Sequence, residues 1–231
     1  MVLYRIMQWP QELLYEIKQL APSVKYVVGI DEVGRGAIAG PMTLGVCAIK
    51  IDDIQDLETI INLDDSKKLT AVKRQTILGH ISNSELVNTI VLGKYSISAG
   101  RIDRWGIRRS YIDLLCRVIK KHDPSETLFL LDYGIPTLST MKHVKSFIKG
   151  DSRVPVIALA SIYAKECRDR YMTTTVHKQF PTYGFDGHVG YGTKFHRSQI
   201  MTYGTCNQHR ISWIKNRPPT PGVSGADERT L

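Results

Sequence analysis

Two acidic side chains stand together at the end of an apolar run, Tyr26-Val27-Val28-Gly29-Ile30-Asp31-Glu32, and a glycine-rich turn, Val33-Gly34-Arg35-Gly36, follows at once. Ionising both acids at the end of a buried strand is costly unless a cation compensates them. For clustered oxygen ligands the usual compensator is a divalent metal. The Gly34-Arg35-Gly36 turn offers backbone N–H groups clear of any Cβ, together with a guanidinium fork, and these are the donors that phosphate accepts from. Carboxylates for metal beside donors for phosphate suggest phosphodiester chemistry. Strands of α/β proteins also end in aspartate and glycine for purely geometric reasons, so the rest of the chain has to decide.

Two more carboxylates fall at the ends of apolar runs. Asp132 closes residues 127–131, and Asp151 follows a weaker strand pattern at 144–148. Neighbours on a regular strand point to opposite faces, so Asp31 and Glu32 are expected to share a site only where the strand breaks, as Gly34 and Gly36 would allow. An oxygen-only ligand set favours Mg2+ or Mn2+ over zinc. Lys67, Lys68, Lys165, Arg168 and Lys194 are candidates for holding phosphates, although each alone is more often a solvated charge. His188 and His196 read as surface histidines, and His209-Arg210 as structural.

The elements that must position these groups follow from periodicity. Residues 10–20 form an amphipathic helix with Leu13, Leu14, Ile17 and Leu20 on one face. Strands are expected at 26–31, 44–49, 88–95, 127–131 and 144–148. A helix after Thr70 carries Val72, Ile77, Leu78 and Ile81. A long one at 101–121 buries Ile107, Tyr111, Leu114, Leu115 and Val118. Segment 154–171 supplies small residues for close helix packing, Ala158, Ala160, Ser161 and Ala164. Residues 181–192 form a loop rich in glycine and aromatics, and Thr193 caps a last helix that stops near Gly204. The pattern points to a mixed sheet flanked by helices, with function at the carboxyl ends of its strands.

The chain has 231 residues, 42% of them hydrophobic, and a formal charge of +9. That is one sizeable domain with a basic balance that favours a polyanionic partner. No stretch approaches the roughly 20 apolar residues of a membrane span. The N-terminal residues lack a signal-type core, and the four cysteines are scattered without a C-x-x-C pair. A cytoplasmic protein with reduced thiols and no zinc site is expected.

Ordered blocks along most of the chain match a known family. They are 29–36 (Gly-Ile-Asp-Glu-Val-Gly-Arg-Gly), Asp65-Ser66-Lys67-Lys68-Leu69, Ala99-Gly100-Arg101-Ile102-Asp103, Leu131-Asp132, Lys149-Gly150-Asp151-Ser152, 160–165 with Arg168-Asp169-Arg170, Tyr183-Gly184-Phe185, Gly190-Tyr191-Gly192-Thr193 and His209-Arg210. The chain thus resembles prokaryotic ribonuclease HII, the type 2 ribonuclease H that cuts RNA in RNA–DNA duplexes and at single embedded ribonucleotides. The sister type HIII usually has Gly-Thr-Gly in the turn where this chain has Arg35. Two departures stand out: Asp132-Tyr133-Gly134 where the family usually has Asp-Gly, and Gly106-Ile107-Arg108 in place of Asn-Ile-Leu.

The resemblance implies an α/β, ribonuclease H-like fold, a five-stranded mixed sheet flanked by helices with a helical C-terminal extension. In this chain the catalytic domain would span residues 1–216, with the extension at about 193–216 and a disordered tail at 217–231. It implies Asp31, Glu32, Asp132 and Asp151 as catalytic carboxylates and ligands of two divalent ions, Mn2+ or Mg2+. Asp31 would bridge both, with Asp151 on the water side and Glu32 and Asp132 on the leaving-group side. It further implies that Gly34, Arg35 and Gly36 contact the 2′-OH and nearby phosphates, that Tyr191 packs on the sugar at the RNA-to-DNA junction, and that the products are a 3′-hydroxyl and a 5′-phosphate. Lys67 and Lys165 join the expected substrate contacts. Expected partners are RNA–DNA hybrids and duplex DNA containing ribonucleotides, taken by a monomer without membrane attachment. The alternatives are a DNA junction nuclease of the same fold and a non-catalytic hybrid-binding module.

Overall fold

The apolar runs pair into one five-stranded sheet in the order β3-β2-β1-β4-β5. The strands are β1 Tyr26–Val33, β2 Met42–Lys50, β3 Val91–Ile97, β4 Thr127–Asp132 and β5 His143–Phe147. The first three form an antiparallel meander, whereas β4 lies parallel to β1 and β5 parallel to β4. The computed structural model describes residues 6–20 and 22–215, so the tail expected at 217–231 lies outside the described residues.

Alternation along β1 assigns the two faces of the sheet. Val27 packs with α1 (Gln11–Leu20), α2 (Ala71–Ser82) and α4 (Pro155–Arg170). Val28 and Ile30 pack on the other face with α3 (Ala99–Ile119). α4 crosses the middle of the sheet and is buried along almost its whole first three turns. Two glycines let it come that close: a Cβ on Gly29 would strike the Val156 backbone, and one on Gly45 would strike the Ala160 backbone. The small residues expected on α4 are therefore matched by small residues beneath it.

Several boundaries move, for local reasons. β3 begins at Val91 rather than 88, because Glu85–Asn88 closes into a 3-10 turn. α3 is interrupted at Gly106, whose φ of 72° and ψ of 163° are not helical, and the Ser110 hydroxyl donates to the Gly106 carbonyl at 2.9 Å to restart it. Val72, expected on the apolar stripe of α2, is exposed; the buried face there is Arg74, Ile77 and Ile81. α4 continues through a π-helical turn, Tyr171–Val176. The last helix, Lys194–Tyr203, starts at the expected cap, where Thr193 accepts from His196 N.

Candidate active site

Backbone pairing at the carboxyl end of β1 explains how two adjacent acids can serve one place. β1 keeps its ladder with β2 through Val33, but its parallel ladder with β4 stops at the Ile30–Leu131 pair. One residue further on in each strand stand Asp31 and Asp132. The expected break between Asp31 and Glu32 is absent: the strand runs on, and the chain turns only at Gly34, with φ 80°. By alternation Asp31 faces α4 and Glu32 faces α3, so the acids straddle the end of the sheet. Asp151 reaches the same end from a 3-10 turn, Gly150–Ser152, placed after β5 by a left-handed Lys149. It is thus a turn residue and not a strand-end residue.

The carboxylates are poorly compensated. Asp31 is 3% exposed; its Oδ1 accepts from Glu32 N at 2.7 Å, while its Oδ2 and the Oε2 of Glu32 are buried without hydrogen-bond partners. Burial, then the charge of Glu32, pushes the Asp31 carboxyl up to about 8. Burial also raises Glu32, with Tyr111 and Arg35 opposing it. Asp151 is pushed up to about 6 by burial, then by Asp65 and Asp132. Asp132 Oδ1 accepts from Gly150 N at 2.8 Å, which ties β4 to the Asp151 turn. The nearest cations are loosely held: Arg35 Nη1 lies 4.0 Å from Glu32 Oε1, and Lys67 Nζ lies 3.9 Å from Asp151 Oδ2.

Two orphaned acid oxygens and an oxygen-only donor set fit a divalent cation, since a buried unpaired carboxylate otherwise carries a large desolvation cost. Among the described residues no three acids or imidazoles close into a ready-made cage.

Beside them lies a cleft of about 450 Å³ lined by Glu32, Gly34, Arg35, Gly36, Lys67 and Tyr191 among others. A slightly larger cleft, bordered by Lys94, Ser96 and Tyr171, contains no acid. The Gly34-Arg35-Gly36 turn is held from inside by Arg210, which is fully buried. Its guanidinium donates to the carbonyls of Gly34 at 2.7 Å, Arg35 at 2.9 Å and Gly40 at 3.0 Å. Because a planar trans peptide points its N–H opposite its C=O, inward carbonyls at Gly34 and Arg35 aim the N–H groups of Arg35 and Gly36 away from Arg210. Tyr191 is half-buried, with Lys165 Nζ 5.8 Å and Arg168 Cζ 5.6 Å from its ring centre.

The fold brings together Asp31, Glu32, Asp132 and Asp151, and sets Gly34, Arg35, Gly36, Lys67 and Tyr191 beside them. Lys165 lines the same cleft but is paired with Asp169 at 2.9 Å. Three readings need correction. Arg168 is no phosphate ligand: it is 1% exposed and donates to the carbonyls of Ala39, Pro41 and Val189. His196 is fully buried, not a surface residue, and His188 is half-buried and stacked on it with ring centres 4.2 Å apart. Sequence reasoning also passed over Asp65, whose charge acts on Asp151, and the second role of Tyr111, which is core as expected, 3% exposed, and also sits against Glu32 with Arg35 Cζ 5.8 Å from its ring. Asp65 was legible as the head of the Asp65-Ser66-Lys67 block; nothing in the sequence marked the second role of Tyr111.

This architecture is that of the ribonuclease H-like nucleases. It superposes on ribonuclease H2 from Pyrococcus horikoshii OT3 with a TM-score of 0.63 at 22% identity, covering 81% of this chain and 93% of that one. Bst-RNase HIII, solved in complex with Mn2+, gives a TM-score of 0.55 at 19% identity, covering 85% of this chain and 67% of that one. The sequence model of ribonuclease HII matches residues 28–216. Ribonuclease HII of Geobacillus thermodenitrificans is 33% identical over 91% of this chain and 76% of its own length. That of Delftia acidovorans is 37% identical over 80% and 74%. The chain belongs to the ribonuclease HII family and is a ribonuclease H, an endonuclease. No helix among the described residues is long and apolar enough to cross a membrane.

Proposed function

We propose that this endonuclease hydrolyses the RNA strand of RNA–DNA hybrids and cuts on the 5′ side of single ribonucleotides in duplex DNA, leaving a 3′-hydroxyl and a 5′-phosphate. The observation that carries this reading is the pair of orphaned buried oxygens, Asp31 Oδ2 and Glu32 Oε2, with Glu32 lining the same cleft as the Gly34-Arg35-Gly36 turn. Asp31, Glu32, Asp132 and Asp151 would hold two divalent ions, Mg2+ or Mn2+. Bound there, such ions supply a water of lowered pKa, a polarised phosphoryl group and charge relief for the leaving oxygen.

The chain's own groups do the rest. Asp31 and Glu32 approach the scissile phosphate from opposite faces of one strand end, so a phosphate lying across that end meets both. Asp151, on its turn, stands beside Asp132, Asp65 and Lys67. Outward N–H groups of Arg35 and Gly36 are suited to the 2′-OH, the one sugar group that separates RNA from DNA, without reading a base. Arg35 and Lys67 are free enough to swing from their 4.0 Å and 3.9 Å acid contacts onto phosphates. The half-buried Tyr191 ring would pack on the deoxyribose that follows. The test is cleavage of matched hybrid, DNA and RNA duplexes with the termini mapped. Cutting confined to strands with ribonucleotides, giving 3′-hydroxyl ends, supports the reading; equal cutting of all-DNA junctions would replace it with a DNA nuclease.

A further inference from the structure

Beneath Tyr191 lies a chain of buried imidazoles whose hydrogen positions can be deduced from both ends. At one end, His196 Nδ1 lies 2.9 Å from the Tyr191 carbonyl oxygen, which can only accept. His196 therefore carries its proton on Nδ1, and a neutral ring then has a lone pair on Nε2. That nitrogen lies 3.1 Å from His209 Nε2, so His209 donates from Nε2 and is bare at Nδ1. At the far end, Cys206 N, which can only donate, lies 2.9 Å from His209 Nδ1 and needs that bare nitrogen. Cys206 O is 3.3 Å from the same atom, but a proton placed on Nδ1 to reach it would confront the Cys206 N–H. The reverse direction thus fails at both ends. Charging either ring would set N–H against N–H, and burial already holds both imidazoles down to about 4.

The same logic fixes the third ring. His188 Nδ1 accepts from Gly190 N at 3.2 Å, and its Nε2 donates to the Tyr183 carbonyl at 2.7 Å. Around Tyr191 the surrounding peptides are pinned as well. The Gly190 carbonyl accepts from Ile38 N and Ala39 N, Tyr191 N donates to the His188 carbonyl, the Tyr191 carbonyl accepts from Thr193 N as well as from His196, and the Gly192 carbonyl accepts from Arg197 Nε. The histidine chain is the part that reaches from the C-terminal segment, through the fold, to Tyr191 itself.

We infer that His209 and His196 form a one-way, neutral hydrogen-bond relay that positions Tyr191 for reading a single ribonucleotide junction. His196 is thus a positioning residue acting through Tyr191, and the inference rests on the junction role proposed for Tyr191. Without the relay the Tyr191 carbonyl keeps only its bond from Thr193 N at 2.9 Å, so the peptide is held by one donor instead of two and a ring that must meet one sugar is placed less exactly. Continuous hybrids present many equivalent sugars and depend on it less.

Two measurements test this at neutral pH. Long-range 1H–15N correlation spectra of the 15N-labelled protein should show His196 as the Nδ1–H tautomer and His209 as the Nε2–H tautomer; the opposite tautomers, or a charged ring, would overturn the relay whatever Tyr191 does. Second, kcat/KM is compared between a duplex with one ribonucleotide and a continuous hybrid. His196→Leu should lower the ratio about fivefold, the size of one lost hydrogen bond. His196→Asn, whose amide can donate from near the Nδ1 position, should recover most of it. In a Tyr191→Ala background, His196→Leu should change the ratio no further. Equal losses on both substrates, or effects that add to those of Tyr191→Ala, would overturn the positioning role. If Tyr191→Ala alone leaves the ratio unchanged, the junction role of Tyr191 fails, while the spectrum still decides the relay. Should the leucine variant fail to fold, His196→Asn, His209→Gln and the spectrum carry the test.

Discussion

Asp31 is under evident tension: a carboxyl 3% exposed, with one oxygen orphaned and its protonated form favoured up to about pH 8. Its folded value lies above the unfolded value of 3.8, so the folded metal-free chain keeps a proton that the unfolded chain has lost, and stability falls as pH rises from about 4 to about 8. Asp31→Asn removes that dependence. In a chelator, thermal denaturation should show the variant gaining on the parent across this window, by up to about 1.4 kcal/mol per pH unit. A constant difference from pH 4 to pH 8 would mean that Asp31 is not a buried acid. The depressed histidines act in the opposite sense, destabilising as pH falls from 6.5 toward 4, but they are common to both proteins and cancel in the comparison. At this scale the sequence is legible where chemistry is local. Asp31, Glu32 and the Gly34-Arg35-Gly36 turn announce themselves by type and spacing. Arg168 and His196 misled because a charged or titratable side chain looks the same in sequence whether water or a carbonyl receives its protons.

Two elements set the site: the overhang of β1 beyond β4, and the close seat of α4 on Gly29 and Gly45. The strands were readable from apolar runs, and alternation already put Asp31 and Glu32 on opposite faces. What the sequence did not disclose was register, because the end of the β1–β4 ladder at the Ile30–Leu131 pair depends on where two distant segments meet. An expected chain break was therefore replaced by an intact strand with one partner missing. The start of β3 was obscured in the same way, since the apolar run beginning at Ile90 reads on from Asn88, which the structure places in the 3-10 turn Glu85–Asn88. Gly29→Ala tests the seat of α4. Its new Cβ meets the Val156 backbone, which cannot swing aside as a side chain can. Overpacking of this kind costs about 1–3 kcal/mol, or a melting temperature lower by about 5 °C in a chain of this length. The same change should weaken activity, because Asp31 is two residues further along the strand. An unaltered melting temperature would show that α4 does not approach as closely as described.

Across the whole molecule, the formal charge of +9 has to coexist with four acids at the centre of the site. A polyanion attracted by the basic surface still meets repulsion at the strand end until cations occupy it. Binding to a hybrid should therefore weaken steeply with salt, by about 0.9 log unit per phosphate contact for each decade of concentration. Titrations from low to moderate salt check this, and a flat response would place the positive charge away from the substrate. The most direct test of the account is a cleavage assay on duplex DNA bearing one ribonucleotide, with Mg2+, with Mn2+ and with chelator, for the parent and Asp31→Asn. The account predicts a single cut 5′ of the ribonucleotide by the parent with either metal and none with chelator. It also predicts at least a hundredfold loss in Asp31→Asn, roughly the scale of removing an essential electrostatic group, with binding to the duplex retained. Cleavage by Asp31→Asn within about tenfold of the parent, or unchanged cleavage in chelator, would contradict a metal-assisted site built on Asp31.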